Sequence, residues 1–281
     1  MLRTRVLTAL VLLLILATAA AISPQVLIAL AAVFFGIVLA EWLRLSAVPA
    51  RLAVPGAVML AGAALALEIG GVRPAPRVLA GACVLACSAW MAIGFILTMA
   101  QRGPVRLARS LLVAGALLLA GVAWLALVEL LQRGITWTLS VLALVWLADI
   151  AAYFSGRAFG VRKLASRISP SKTWAGVWGA VLAVVIVAEA GRWLWPQGAL
   201  WSTKLLVAAP GPGIAILLVF VAMSIIGDLF ESLVKRQAGV KDSGTILPGH
   251  GGVWDRIDAT LPVLPLAVLG HWYLVNGWNH A

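Results

Sequence analysis

The chain has 281 residues, of which 63% are hydrophobic and 11% charged, with 21 Lys and Arg against 10 Asp and Glu and a formal net charge of +11. A soluble domain carries roughly 25% charged residues to cover its surface, so a soluble fold is excluded and the predicted class is all-α, a polytopic integral membrane protein. The basic residues lie in short loops rather than on one domain face, which excludes nucleic acid as a partner.

Nine apolar segments are expected, at about 6–22, 25–44, 52–70, 78–99, 110–131, 135–155, 174–195, 209–230 and 259–279. Most reach about 20 residues, the length that crosses ~30 Å of hydrocarbon at ~1.5 Å per residue. Arg3, Arg5 and Ala17-Thr18-Ala19 around the first segment imitate a secretory signal. Its apolar run is long for one, and removing it would invert the next segment, so an uncleaved first helix is expected. Cys83 and Cys87 share a face of the fourth segment and suit small apolar packing. Pro210-Gly211-Pro212-Gly213 makes the start of the eighth the least regular. Residues 1–134 then form an N-terminal group of about five helices. Residues 135–281 form a C-terminal membrane region, with loops at 156–173 and 231–258.

If the N-terminus is cytoplasmic and all nine segments span, only Arg73, Arg77, Arg133, Arg192 and Lys204 fall on the far side. The other sixteen basic residues face the cytoplasm, as the positive-inside rule requires. The two loops after segments six and eight carry enough of this charge to handle anionic lipid headgroups, nucleotides or phosphate esters.

Only Glu41, Glu68 and Glu129 precede residue 149 among the acids. Glu41 and Glu129 read as helix-end carboxylates, solvated or paired. Asp149 lies inside segment six, where insertion costs on the order of 2.5–3.5 kcal/mol. It marks a cation site or substrate cavity, or else an interhelical hydrogen bond. Ser224, Asp228, Glu231 and Lys235 are spaced four, three and four apart and form one polar stripe, with Lys235 pairing to Glu231. A stripe of that kind must face protein or water. Beyond it, Gly239, Gly244, Gly249, Gly251 and Gly252 free the backbone for an amide cradle that could hold an anion. Asp255 and Asp258 follow at the start of segment nine.

Hard carboxylate oxygens suit Mg²⁺. Asp228 and Asp255, folded side by side, are its expected main ligands. Asp149, expected to be more buried, is assigned a second cation. The loop after segment six holds Arg157, Arg162, Lys163, Arg167 and Lys172 with Ser169, Ser171 and Thr173. Cations and hydroxyls facing a carboxylate–Mg²⁺ site are the parts of phosphoryl or nucleotidyl transfer.

Residues 232–258 carry Ser232, Val234, Lys235-Arg236, Lys241-Asp242, Gly244, Leu247-Pro248, His250-Gly251-Gly252-Val253 and Asp255-Arg256-Ile257-Asp258. This pattern resembles, position by position, the signature of the phosphatidate cytidylyltransferases. Upstream, "ADIAAYFSGRAFG" and "ISPSKTWAG" look like two further family segments. They depart from it at Ile150-Ala151, where the family has Thr-Gly, and at Ser171 and Ala175, where it has Lys and Glu. The specific resemblance covers about residues 142–260.

The resemblance implies that CTP and phosphatidate give CDP-diacylglycerol and pyrophosphate, the lipid phosphate attacking the α-phosphorus of CTP. It implies Mg²⁺ with a monovalent cation such as K⁺, a homodimer, and a multi-pass place among the lipids of a bacterial cytoplasmic membrane with the active site facing the cytoplasm. Lys172, Asp228, Asp255 and Asp258 become the catalytic candidates. Arg157, Ser169, Thr173, Lys235, Arg236, Lys241, Asp242, His250, Gly251, Gly252 and Arg256 become the substrate contacts. The rival is an ion or anion transporter. That class places charges near the midplane in broken helices or inverted repeats, whereas here they crowd one face.

Overall fold

The computed structural model describes residues 2–198 and 200–272. The chain runs α1 (Leu2–Ile22), α2 (Pro24–Leu45), α3 (Ala50–Ile69), α4 (Pro76–Arg102), α5 (Arg109–Gly115) and α6 (Gly121–Arg133), then α7 (Ile135–Phe159). A hairpin of β1 (Lys163–Ala165) and β2 (Ser169–Thr173) leads into α8 (Trp174–Leu194), α9 (Trp201–Ala208), α10 (Pro210–Gln237), α11 (Trp254–Ile257) and α12 (Thr260–His271). Proline opens α2, α4 and α10, where its missing N–H would have no partner in any case. The Pro-Gly repeat at 210–213 therefore starts a helix of 28 residues rather than breaking one.

Among the described residues, seven helices are long and apolar enough to cross a membrane: α2, α3, α4, the stretch Arg109–Arg133, α7, α8 and α10. The fold is an all-α, polytopic membrane protein. The stretch Arg109–Arg133 contains a five-residue π-helical turn, Ala116–Ala120, between α5 and α6. The first and ninth expected segments correspond to α1 and α12, and residues 273–279 of the ninth lie outside the described residues.

The loop after α7 is not plain coil. It is a two-stranded antiparallel hairpin pairing Lys163 with Thr173 and Ala165 with Ser169, so its backbone groups satisfy one another at the helix ends.

The N-terminal helices are built into the same core as the C-terminal ones. Trp42 of α2 stacks on Trp254 of α11, with ring centroids 4.5 Å apart and planes 12° from parallel. Phe230 of α10 meets Trp90 of α4 edge-on at 5.5 Å. All four rings are buried, and aromatic pairs at these distances add about 0.5–1.5 kcal/mol each beyond area burial.

The two ends of the bundle differ. At one end Arg73 pairs with Glu68 at 2.7 Å, Gln132 donates to Glu68 at 2.8 Å, and Arg133 meets both Glu129 at 2.7 Å and His271. The ends of α3, α6 and α12 therefore lie together. At the other end Thr8 Oγ1 of α1 donates to the carbonyl of Pro248 at 3.0 Å, and the hairpin meets α10. The candidate site is at this second end.

Candidate active site

The polar stripe of α10 is present, and two lysines divide it. Lys172, carried in on β2, makes an ion pair with Asp228. One turn on, Lys235 bridges Glu231 at 2.8 Å and Asp255 of α11 at 2.5 Å. Asp228 and Glu231 can share a helix face because each has its own cation. Ser224 and Glu231 are only 2% exposed, as the cost of showing them to lipid demands.

Around Lys172 stand three carboxylates. Burial by itself would lower its ammonium pKa. The charge and hydrogen bond of Asp228 outweigh that and raise it, with Asp149 and Asp258 adding to the effect. Asp258 lies just past α11, its Oδ1 accepting from the N–H of Ala259 at 2.7 Å. Burial pushes its carboxyl up, and the neighbouring charge of Asp228 pushes it further. Asp258 reaches this position because residue 227 is glycine. A Cβ there would run into the carbonyl of Asp258 and come within 3.0 Å of Pro262.

Asp255 has a different place from the one expected. Its Oδ1 takes Lys235, and its Oδ2 accepts from Gly252 N at 2.8 Å, Ser243 N at 2.9 Å and Ser243 Oγ at 3.1 Å. Burial alone would raise its carboxyl. Hydrogen bonding with Glu231 first, then with Lys235 and with the Gly252 and Ser243 amides, outweighs that and holds it at about 2. It is a charged anchor of the loop, and Asp258 rather than Asp255 is the carboxylate that sits beside Asp228.

Asp149 was expected to be more buried than the others. It is instead open to a groove on the face of α7. That groove, about 1230 Å³, has apolar walls from α1, α2, α6 and α7, including Leu13, Phe34, Trp124, Leu139 and Trp146. Its polar end is formed by Asp149, Lys172, Asp228, His250, Asp255, Arg256 and Asp258.

The other expected contacts divide. Arg157 and Thr173 line the groove. Arg157 is exposed and donates to the Tyr153 hydroxyl at 3.3 Å. Thr173 is buried and caps α8, its Oγ1 accepting from Gly176 N at 3.2 Å. The carbonyl of His250 accepts from Arg256 at 2.6 Å. The Ser169 hydroxyl lies 3.4 Å from that of Ser171. Arg236, Lys241 and Asp242 are exposed and outside the groove lining.

The glycine-rich loop differs from the expected anion cradle. The amides of Ser243, Gly252, Val253 and Trp254 are aimed at two carboxylates of the protein itself, Asp255 and Glu41. Gly251, at φ 83°, turns the chain between them.

Glu41 is the residue that sequence reasoning missed. It is not a solvated helix-end acid. It is 3% exposed and receives the loop from below. One signal was available: it is one of only three acids in the first 148 residues, and an acid in an apolar helix needs a partner.

Among the described residues no three His, Cys, Asp or Glu side chains are placed to hold a metal unaided. Mg²⁺, however, asks for only one or two carboxylates plus phosphates and water. The hard oxygens of Asp228, Asp258 and Asp149 around one ammonium fit that need.

A profile of the cytidylyltransferase family matches residues 3–274. The chain is similar to the phosphatidate cytidylyltransferase of Pseudomonas aeruginosa, 45% identical over 159 residues, 56% of this chain and 55% of that protein. It is similar to that of Brucella suis, 46% identical over 137 residues, 48% and 47% of the two chains. The Bacillus subtilis protein of the same name is 39% identical over 137 residues, 48% and 46%. The chain spans about half the length of the curated relatives it matches. The transporter reading finds no support in these matches. With its profile match running through nearly every helix described above, the chain belongs to the cytidylyltransferase family.

Proposed function

We propose that the protein transfers the cytidylyl group of CTP to phosphatidate, giving CDP-diacylglycerol and pyrophosphate. The observation that carries this is an ammonium ringed by three carboxylates at the polar end of an apolar groove. Acyl chains suit walls of Leu, Phe and Trp, and a phosphate monoester suits an end where Arg157, Lys172 and Arg256 offer positive charge and the aspartates would hold a cation. The family's relatives bear the name of this activity.

In the proposed reaction a phosphate oxygen of the lipid attacks the α-phosphorus of CTP, the α–β bridging P–O bond breaks, and pyrophosphate leaves with the electron pair. Lys172, kept protonated by its aspartates, donates to a phosphate oxygen and offsets the charge that gathers there. Arg157 and Arg256 are placed on the groove to steer the anionic substrates. Asp228 and Asp258 would hold Mg²⁺, and Asp149 a monovalent cation such as K⁺. Bound there, the divalent ion supplies neutralisation of phosphate charge. Asp255, with its lone pairs spent on the loop, is reassigned as the group that orients α11. A homodimer in a bacterial cytoplasmic membrane, with the groove's polar end toward the cytoplasm, completes the proposal; the charge bias of the loops supports that orientation.

The test is to incubate the purified protein with labelled CTP, phosphatidate and Mg²⁺ and to follow label into the lipid phase. A lipid product that requires both substrates is expected. Product absent with phosphatidate but present with another phosphorylated lipid would change the acceptor, and no lipid product at all would end the proposal.

A further inference from the structure

Glu41 lies on α2, far in sequence from the loop at 240–258, yet both oxygens of its carboxylate are committed to it. Oε2 accepts from Trp254 N at 2.8 Å and from Ser243 Oγ at 2.9 Å, and Oε1 accepts from Val253 N at 3.1 Å. At 3% exposure the carboxylate has exchanged its water for these donors. A buried charge is tolerable only on such terms. The N–H groups at the start of a helix otherwise have no partners, and α11 begins at the residues Glu41 holds.

The next residue of α2 adds a second grip. The Trp42 ring stacks on Trp254, the same residue whose N–H is bound by Glu41. The loop is shaped to receive the carboxylate: a Cβ on Gly252 would stand 2.6 Å from Glu41 Oε1 and collide with Ser243 Oγ. The Ser243 hydroxyl lies between Glu41 at 2.9 Å and Asp255 at 3.1 Å. Glu41 is thereby continuous, through Ser243 and Asp255, with Lys235 and Glu231 of α10.

We propose that Glu41 is a positioning residue for cytidylyl transfer, clamping the loop so that α11 presents Asp255 to Lys235 and Asp258 to Asp228. The inference rests on the function proposed above for the same site. Such a clamp is needed because Gly239, Gly249 and Gly251 all have positive φ. A loop built on glycine has more conformational freedom to lose than any other. The touching partner sits on a helix outside the segments that resemble the family signature, so the N-terminal half of the chain acquires a role in the reaction without meeting substrate.

Glu41→Gln tests it. One acceptor oxygen becomes an NH₂ group that faces N–H donors, while size and packing are kept. Full-length protein in detergent is compared by steady-state kinetics and by hydrogen–deuterium exchange. The turnover number is expected to fall about tenfold or more, roughly the loss of one charged hydrogen bond, while KM for CTP stays within about threefold because no substrate contact is removed. Exchange should quicken in peptides covering 240–258 and stay unchanged in α7 and α8. Ser243→Ala should move both readouts the same way by less.

Unchanged turnover and loop exchange would overturn the proposal. So would exchange that rises throughout the chain, which would make Glu41 a residue of the fold alone. If the unmodified protein forms no lipid product while Glu41→Gln still loosens 240–258 selectively, the clamp stands and the function assigned to the site falls.

Discussion

Four aspartates line the polar end of the groove, three of them around Lys172 and the fourth, Asp255, on Lys235, and their contacts give them unequal tasks. Asp228 and Asp258 face the Lys172 ammonium, whereas Asp255 is saturated by Lys235, Ser243 and Gly252. Asp228→Asn and Asp258→Asn are therefore expected to lower turnover by about 10²-fold or more, the scale of losing one preorganised electrostatic contact. If the loss lies in cation affinity, raised Mg²⁺ partly restores them. Asp255→Asn is expected to lose activity too, but through a loosened loop, so no Mg²⁺ concentration restores it. Mg²⁺ titration of the three purified variants at matched folding checks this, and rescue of Asp255→Asn would return that residue to the metal. The same logic separates two cations of the hairpin region. Arg162 lies 5.7 Å from the Trp174 ring centre, exposed at the surface, while Lys172 points among the acids. Lys172→Ala should cost about 10²-fold in turnover and Arg162→Ala less than about threefold; equal losses would mean a diffuse electrostatic effect.

At the scale of elements, the loop and the helices it joins are fitted at glycines of two kinds. Gly227 has no room for a Cβ against the Asp258 carbonyl and Pro262. Gly239 has open space but φ 73°. Gly227→Ala is expected to push α10 from α12, with a stability loss of about 1–3 kcal/mol typical of overpacking and most activity gone. Gly239→Ala should cost about 1–2 kcal/mol of backbone strain and leave most activity. Thermal unfolding in detergent alongside turnover checks both, and equal activity loss would show that loop conformation matters as much as helix contact. The helices, the α10 stripe and the Lys235–Glu231 pair were legible because hydropathy and the spacing of four, three and four are local properties of the chain. The hairpin was not: "KLASRISPSKT" has little apolar alternation, and its strands are set by the helix ends they join. Glu41 was not legible either, because its donors lie more than 200 residues away. Asp255 and Asp258 looked equivalent as two acids three apart, and only the fold of the glycine loop tells which one turns toward Asp228.

For the whole molecule, the packing fixes which chain segments share an end, and the charge bias supports the proposed orientation of those ends in the membrane. The Arg73–Glu68 pair, Gln132 on Glu68, and Arg133 against His271 gather the ends of α3, α6 and α12. Lys172 on Asp228 and Thr8 on Pro248 gather the hairpin, the α10 loop and the start of α1 at the other. Between Arg77 and Lys241 lie five stretches long and apolar enough to cross the membrane, α4, Arg109–Arg133, α7, α8 and α10. An odd number of crossings puts those two residues on opposite sides. With most Lys and Arg at the Lys241 end, the positive-inside rule supports the proposal that this end faces the cytoplasm, where CTP would be supplied. Cysteine placed at Arg77 or Lys241, in a chain with Cys83 and Cys87 replaced by Ser, reports this with a membrane-impermeant thiol reagent on intact cells. Arg77→Cys should be labelled in intact cells, and Lys241→Cys only after the membrane is opened. The reverse pattern would invert the orientation and place the groove's polar end away from its nucleotide, and labelling of both in intact cells would remove one of the five crossings.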